Sequence, residues 1–274
     1  MYWNFFVHTD VLRPTGIVLH IGEYKYGEPG PLNVCTDLYY AGYNAVAAQY
    51  RLADPGHEMH AAPFSQPAAD HGIFPEQVQD VASAMESIRS GNGNAGTWAD
   101  GQVFLVGGSA GASHAAHCAG ADIAIPGPAT ITKADAAVCL SAAYNYQLDS
   151  PPGLGNNPNL DFQNYCGCTT GPACDGVGGT RDLCSPYHQF SLTSSPTMIF
   201  DTSNDPIRYW QGDFMRTYLD GIGFSYGGRR LTEAAFQTNG ATRHAFQYWT
   251  AQPGFPDEIA TEVIAWLQAL IPPP

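Results

Sequence analysis

The sequence predicts an α/β fold with a mostly parallel central sheet and helices on both of its faces. Three observations predict it. Short apolar runs rich in β-branched residues alternate with longer runs of helical period along most of the chain. Gly107, Gly108, Ser109, Ala110 and Gly111 stand where one such strand becomes a helix. The chain has 274 residues, 44% of them hydrophobic, enough for the sizeable core of a single α/β domain.

The elements follow in order. Residues 15–20, TGIVLH, and 44–50, NAVAAQY, read as buried strands. Over 75–89 the apolar positions Val78, Val81, Ala82, Met85 and Ile88 recur at helical spacing, and Pro75 suits a first helical position. Residues 102–107, QVFLVG, form the next strand, and the Ala-rich run after Ser109 the next helix. AAVCLSA (136–142) and PTMIFDT (196–202) are two further buried strands. Residues 206–223 read as a helix with a glycine stop near Gly221, and 229–238 as a weaker strand. The last helix spans 257–270, with Ile259, Val263, Trp266, Leu267 and Leu270 on one face, before three prolines. Right-handed crossovers between parallel strands place the strand C-terminal ends and their loops along one edge.

One stretch breaks the rhythm. Residues 148–188 have no periodicity and many Gly, Pro and Asn, which marks an ordered insertion within a single domain spanning 1–274. Four of the seven cysteines, Cys166, Cys168, Cys174 and Cys184, crowd into it. The C-x-C spacing lacks a zinc-type partner, so two local disulfides are expected, with three connectivities open. Disulfides in turn imply a secreted or periplasmic protein whose signal is absent from this chain. Cys118 and Cys139 lie in apolar surroundings and read as buried thiols.

The formal net charge is −14, with Lys25 and Lys133 the only lysines. Such a chain repels nucleic acid and anionic membranes, so neither is expected as a partner. No apolar run reaches the length of a membrane span.

Chemistry points back to Ser109. A serine between glycines at a strand-to-helix turn is a strained position in which side chains at Gly107 or Gly111 would strike neighbouring backbone. The helix N-terminus behind it favours developing negative charge. A serine hydroxyl acts as a nucleophile only with a base and an orienting acid. Asp201 and Asp205 follow one later strand, and His244 follows the last weak strand, all on the predicted edge. His188 lies in the insertion and reads as structural. Two backbone N–H groups for an oxyanion are expected from Ala110 and from the loop after residues 15–20, where Gly22 permits close approach. The pairs His57/His60 and His114/His117 have i, i+3 spacing but no third ligand, so no metal is expected.

These motifs together resemble the esterase/lipase branch of the α/β-hydrolase superfamily, near bacterial carboxylesterases and feruloyl- or acetyl-esterase-like enzymes. HIGEY (20–24) resembles an HGGGW-type oxyanion motif. YRLADPGH with FPEQVQDV resembles the YRLAPEHPFPAQLEDV stretch, GGSAGASHAA the nucleophile elbow, TSNDPI the acid loop and RHAFQYW the histidine loop. CSPYHQFSLTSSPTMIF resembles the approach to the acid strand. The similarity runs from about Val11 to the C-terminus.

The resemblance implies an α/β-hydrolase fold and carries three roles to Ser109 (nucleophile), His244 (base) and Asp205 (acid). It also implies that Gly22, Glu23 and Ala110 form the oxyanion hole through backbone N–H groups. The implied activity is hydrolysis of a small-molecule or carbohydrate-linked carboxylic ester, with no cofactor. An amidase or peptidase of the same fold, and a non-catalytic binding module on this scaffold, are the alternatives. Two features depart from the family: His-Ile-Gly-Glu stands where it has HGGG, and the cysteine-rich insertion falls where members often carry a lid.

Overall fold

The computed structural model describes residues 3–25, 27–53, 72–126, 129–147, 162, 165–168, 173–174, 176–207 and 210–274. His57, His60 and much of the 148–188 insertion lie outside the described residues.

A seven-stranded sheet forms the centre. Its strands are β1 (Trp3–Phe6), β2 (Arg13–Leu19), β3 (Asn44–Ala48), β4 (Ala99–Gly108), β7 (Ala136–Leu140), β8 (Thr197–Thr202) and β9 (Arg230–Leu231). They are ordered β1-β3-β2-β4-β7-β8-β9. Only β1 runs antiparallel, at the edge beside β3, and every other pairing is parallel. A separate antiparallel ribbon joins β5 (Ile123–Ala124) to β6 (Thr130–Ile131).

The helices are α1 (Leu32–Tyr40), α2 (Glu76–Arg89), α3 (Ala110–Gly120), α4 (Thr180–Cys184), α5 (Trp210–Ile222) and α6 (Ala260–Leu270). The two-residue period of the strands divides the core into two layers. Ile17, Leu19, Val103 and Leu105 pack with Val81 and Met85 of α2, Ala112 and Ala115 of α3, and Met215 and Leu219 of α5. Val18, Phe104, Val106 and Val138 point the other way, against Val34 and Leu38 of α1 and Val263 and Leu267 of α6. Both sheet faces are therefore buried, which is why the strands read as continuous apolar runs.

Several details differ from the expectation. The edge strand β1, helix α1 and the β5–β6 ribbon carry no clear period in the sequence. Helix α1 shows only Val34, Cys35 and Leu38 as its buried stripe, after Pro31 at its N-cap. Helix α5 continues past Gly221 and stops at Gly223, whose φ of 74° the helix cannot continue through. The strand expected over 229–238 is short, since only Arg230 and Leu231 pair with β8. Among the described residues, no helix is long and apolar enough to cross a membrane.

This topology positions the site. From β2 the chain moves to β3 on one side, then returns to β4 on the other side of β2. Ligand crevices in open parallel sheets form at such a switch, outside the strand C-terminal ends. The register sets Leu19 beside Gly107, Gly108 beside Leu140, and Leu140 beside Phe200. The loops that follow β2, β4, β7 and β8 thus emerge together.

Candidate active site

Ser109 joins β4 to α3 with φ 54° and ψ −120°, a conformation that L-residues avoid. Its N–H donates to the Leu140 carbonyl at 2.8 Å, which ties the turn to the end of β7. The flanking glycines are steric requirements. A Cβ on Gly107 would lie 2.3 Å from the Gly111 carbonyl oxygen, and one on Gly111 2.5 Å from the Leu19 and His20 oxygens. Ala110 opens α3, so its N–H has no intrahelical acceptor.

The loop after β2 turns sharply, with positive φ at Gly22 (135°), Glu23 (51°) and Tyr24 (67°). A Lys25 N–H to Gly22 carbonyl bond of 3.0 Å closes the turn. Contacts from several elements then hold it. The Tyr50 hydroxyl donates to the His20 carbonyl at 3.1 Å, and the His20 and Tyr50 rings stack at 4.1 Å. The Tyr24 carbonyl accepts from Gln77 Nε2 at 2.9 Å and from the Ala53 N–H at 2.8 Å. The Tyr24 hydroxyl donates to Ser113 Oγ at 2.9 Å, one helical turn beyond Ser109. The Glu23 carboxylate pairs with Lys25 Nζ at 3.0 Å, and this pairing offsets its charge beside the loop.

The structure separates the two candidate acids. Asp201, within β8, pairs with Arg216 at 2.9 Å and Arg230 at 2.8 Å. Asp205 receives His244 Nδ1 at 2.7 Å on its Oδ1, with its own side chain fully buried. The same oxygen accepts the Ile207 N–H at 2.9 Å. Its Oδ2 accepts the Ser141 hydroxyl, in a short bond, and Thr202 Oγ1 lies 3.4 Å from it. An ionised carboxylate only accepts, so His244 Nδ1 carries the proton and Nε2 is the basic nitrogen of the neutral ring.

The His244 segment is built by residues that carry no motif of their own. Arg243 is completely buried and pairs with Glu233 at 3.1 Å. Its Nη2 donates to the Asp257 carbonyl at 2.7 Å, and its guanidinium lies 5.2 Å from the centre of the Phe255 ring. Thr202 Oγ1 donates to the Arg243 carbonyl at 2.7 Å, joining this segment to β8. After His244 the chain takes a φ of 50° at Ala245. Phe246 then reaches the serine turn, since a Cβ on Gly108 would meet its ring carbons at 2.5 and 2.8 Å. Sequence reasoning missed Arg243, Glu233 and Ser141, which no local pattern marks.

His188, His114 and His117 are structural in their surroundings. His188 Nε2 lies 2.5 Å from Asp182, which the Tyr187 hydroxyl and Gly178 N–H also contact. His114 and His117 are buried in α3. His114 shares a 2.9 Å hydrogen bond with Gln77 and packs edge-on against Tyr24 and Tyr50. Burial holds both imidazoles neutral, His114 well below the usual histidine range and His117 down to about 4.

The expected disulfides are not formed: no pair of cysteines stands at disulfide-bonding distance. Cys166 and Cys184 are instead buried with Tyr24, Tyr146, Phe162 and Tyr165, where they pack as small apolar groups. Burial, reinforced by the neighbouring Cys184 and Cys174, pushes the Cys166 thiol far above the ordinary range. Tyr165 stacks on Tyr24 at 4.4 Å, so this part of the insertion packs directly behind the loop after β2. Cys118 and Cys139 are buried thiols as expected.

No protein-family model and no curated protein matches the chain. Solved structures do match. Esterase B from Lactobacillus rhamnosis superposes with a TM-score of 0.70 at 18% identity, covering 98% of this chain and 80% of that one. The chain shares an esterase fold. A carboxylesterase from Lactobacillus plantarum gives a TM-score of 0.68 at 12% identity, covering 97% of this chain and 92% of that one. An acetyl ester-xyloside bifunctional hydrolase from Caldicellulosiruptor lactoaceticus gives 0.65 at 15% identity, covering 97% and 87%. Within this esterase fold, the serine turn and the Asp205–His244 pair lie on loops from one sheet edge.

Proposed function

We propose that this protein is a serine hydrolase of carboxylic esters, with Ser109, His244 and Asp205 as its catalytic triad. The observation that carries the reading is the Asp205–His244 hydrogen bond of 2.7 Å, on the same sheet edge as a serine held at positive φ. In this reading Ser109 Oγ attacks the ester carbonyl carbon and passes its proton to His244 Nε2. The buried Asp205 orients the ring and stabilises the imidazolium. The Ala110 N–H, with those of Gly22 and Glu23, stabilises the tetrahedral oxyanion. His244 then protonates the departing alcohol, and water hydrolyses the acyl-enzyme through the same base. The chemistry calls on no cofactor.

The fold neighbours support an ester over an amide, and they include a carbohydrate esterase from gut microbiota and an acetyl ester-xyloside bifunctional hydrolase. A carbohydrate-linked or small soluble ester is therefore the substrate class proposed. The test is a panel of 4-nitrophenyl esters of rising acyl length beside acetylated and feruloylated sugars, with an amide of the same acyl group. Ester turnover that vanishes in Ser109→Ala supports the reading. Turnover unchanged in Ser109→Ala, or preferential amide cleavage, refutes it.

A further inference from the structure

We propose that Ser141 is a positioning residue that sets the acid and the histidine in register through a single hydroxyl. The proposal rests on the ester-hydrolase reading of Ser109, Asp205 and His244. Ser141 follows β7 directly and has a φ of 56°, a rare backbone for a residue other than glycine. Its own N–H donates to the Phe200 carbonyl at 2.8 Å, which anchors that conformation to β8.

The dipeptide Leu140–Ser141 touches all three parts of the site. The Leu140 carbonyl accepts the Ser109 N–H at 2.8 Å. Ser141 Oγ donates to Asp205 Oδ2. The same oxygen accepts the N–H of Ala245, the residue after His244, at 2.9 Å, and lies 2.8 Å from the Tyr248 hydroxyl.

A serine hydroxyl has one proton and two lone pairs. An ionised carboxylate can only accept and a backbone N–H can only donate, so the Ser141 proton goes to Asp205. The Ala245 N–H takes one lone pair, and the Tyr248 hydroxyl, whose proton is shared with the Phe200 carbonyl at 3.2 Å, stands against the other. The hydroxyl is thereby saturated and its direction determined. Asp205 is held at Oδ2 from β7, which leaves Oδ1 aimed at His244 Nδ1. The Ala245 N–H holds the histidine-bearing segment to the same atom. Thr202 reaches Oδ2 only at 3.4 Å and has no bond to the Ala245 N–H, so it does not duplicate this function.

Ser141→Ala removes the hydroxyl, and Ser141→Cys keeps the side-chain shape with a slightly larger atom but substitutes a weak S–H donor. Turnover of 4-nitrophenyl acetate is measured per active site, with sites counted by a serine-directed phosphonate. The expected result for Ser141→Ala is a fall in kcat of about 10- to 100-fold, with KM within about twofold, because misplaced reacting groups lose rate rather than binding. Ser141→Cys should lose less. A merely structural role would lower the melting temperature and the titrated fraction without lowering kcat per site. Should Ser141→Ala fail to fold, Ser141→Cys carries the test, with a loss of at least about threefold expected. Normal kcat per titrated site in the folded variants, or a loss carried in KM, overturns the positioning role and leaves the hydrolase reading intact. A wild-type chain that neither reacts with the phosphonate nor turns over esters overturns both.

Discussion

Replacing Glu233 by leucine removes the partner of a completely buried arginine directly before His244. The Arg243 and Glu233 side chains are 0% and 6% exposed, and their ion pair measures 3.1 Å. Glu233 also accepts the Arg243 backbone N–H at 3.2 Å. Without it the guanidinium retains one good bond, to the Asp257 carbonyl at 2.7 Å, and the Phe255 ring at 5.2 Å. A buried charge stripped of its partner costs about 3–5 kcal/mol. At about 2–4 °C per kcal/mol for a chain of this size, Tm falls by about 6–20 °C. The exposed Arg229–Asp257 pair, 40% and 45% accessible, provides the contrast. Its loss in Arg229→Gln should cost under about 1 kcal/mol, because water screens both groups. The assay is calorimetric melting of Glu233→Leu, Arg243→Met, the double variant and Arg229→Gln. The double variant removes both charges and should be less destabilised than the sum of its singles. A Glu233→Leu melt within about 2 °C of wild type, or strict additivity in the double variant, would refute the argument.

Asp205→Asn should reduce ester turnover by about 10⁴-fold by favouring the wrong histidine tautomer, whereas Asp201→Asn should leave kcat within a few-fold and lower the melting temperature. Steady-state kinetics on both variants decides it; a larger kcat loss in Asp201→Asn reverses the assignment. Stability should fall in acid, because His117 is neutral in the fold down to about 4 while an unfolded histidine binds its proton near 6.5. Between these values the unfolded chain holds more protons, so the contribution is complete above about 6.5 and is lost as pH drops towards 4. For His117 alone this amounts to about 3 kcal/mol, and His114 acts in the same direction. Urea midpoints at pH 7 and 4.5 measure it, and His117→Leu should shrink the difference. Alkylation of the denatured, unreduced protein should modify Cys35, Cys118 and Cys139, the thiols outside the insertion; a deficit of two or four among the other four would give the expected disulfides and, with them, the expected secreted location.

The fold class was legible because both sheet faces are covered. Strands such as Val103–Leu105–Val106 and helices such as α2 therefore carry the full apolar period of their burial. The serine turn was legible because Gly107 stands where a Cβ would strike the Gly111 carbonyl at 2.3 Å, a requirement that acts within the local chain and leaves its mark there, while the Gly111 requirement comes from Leu19 and His20 across the sheet. Edge strand β1 and helix α1 were not legible, since their burial depends on neighbours that no local period reports. Asp201 and Asp205 both follow the same apolar run, and only the resemblance of TSNDPI to the acid loop favoured Asp205 in the sequence; the tertiary structure sets Arg216 and Arg230 against Asp201 and His244 against Asp205. The cysteine cluster predicted covalent staples, yet its thiols pack against aromatic rings that converge from distant parts of the chain. Ser141, Glu233 and Arg243 were silent for the same reason. A hydroxyl, a carboxylate and a guanidinium have no pattern of their own, and their roles arise from partners 10 to 107 residues away that folding brings within hydrogen-bonding distance.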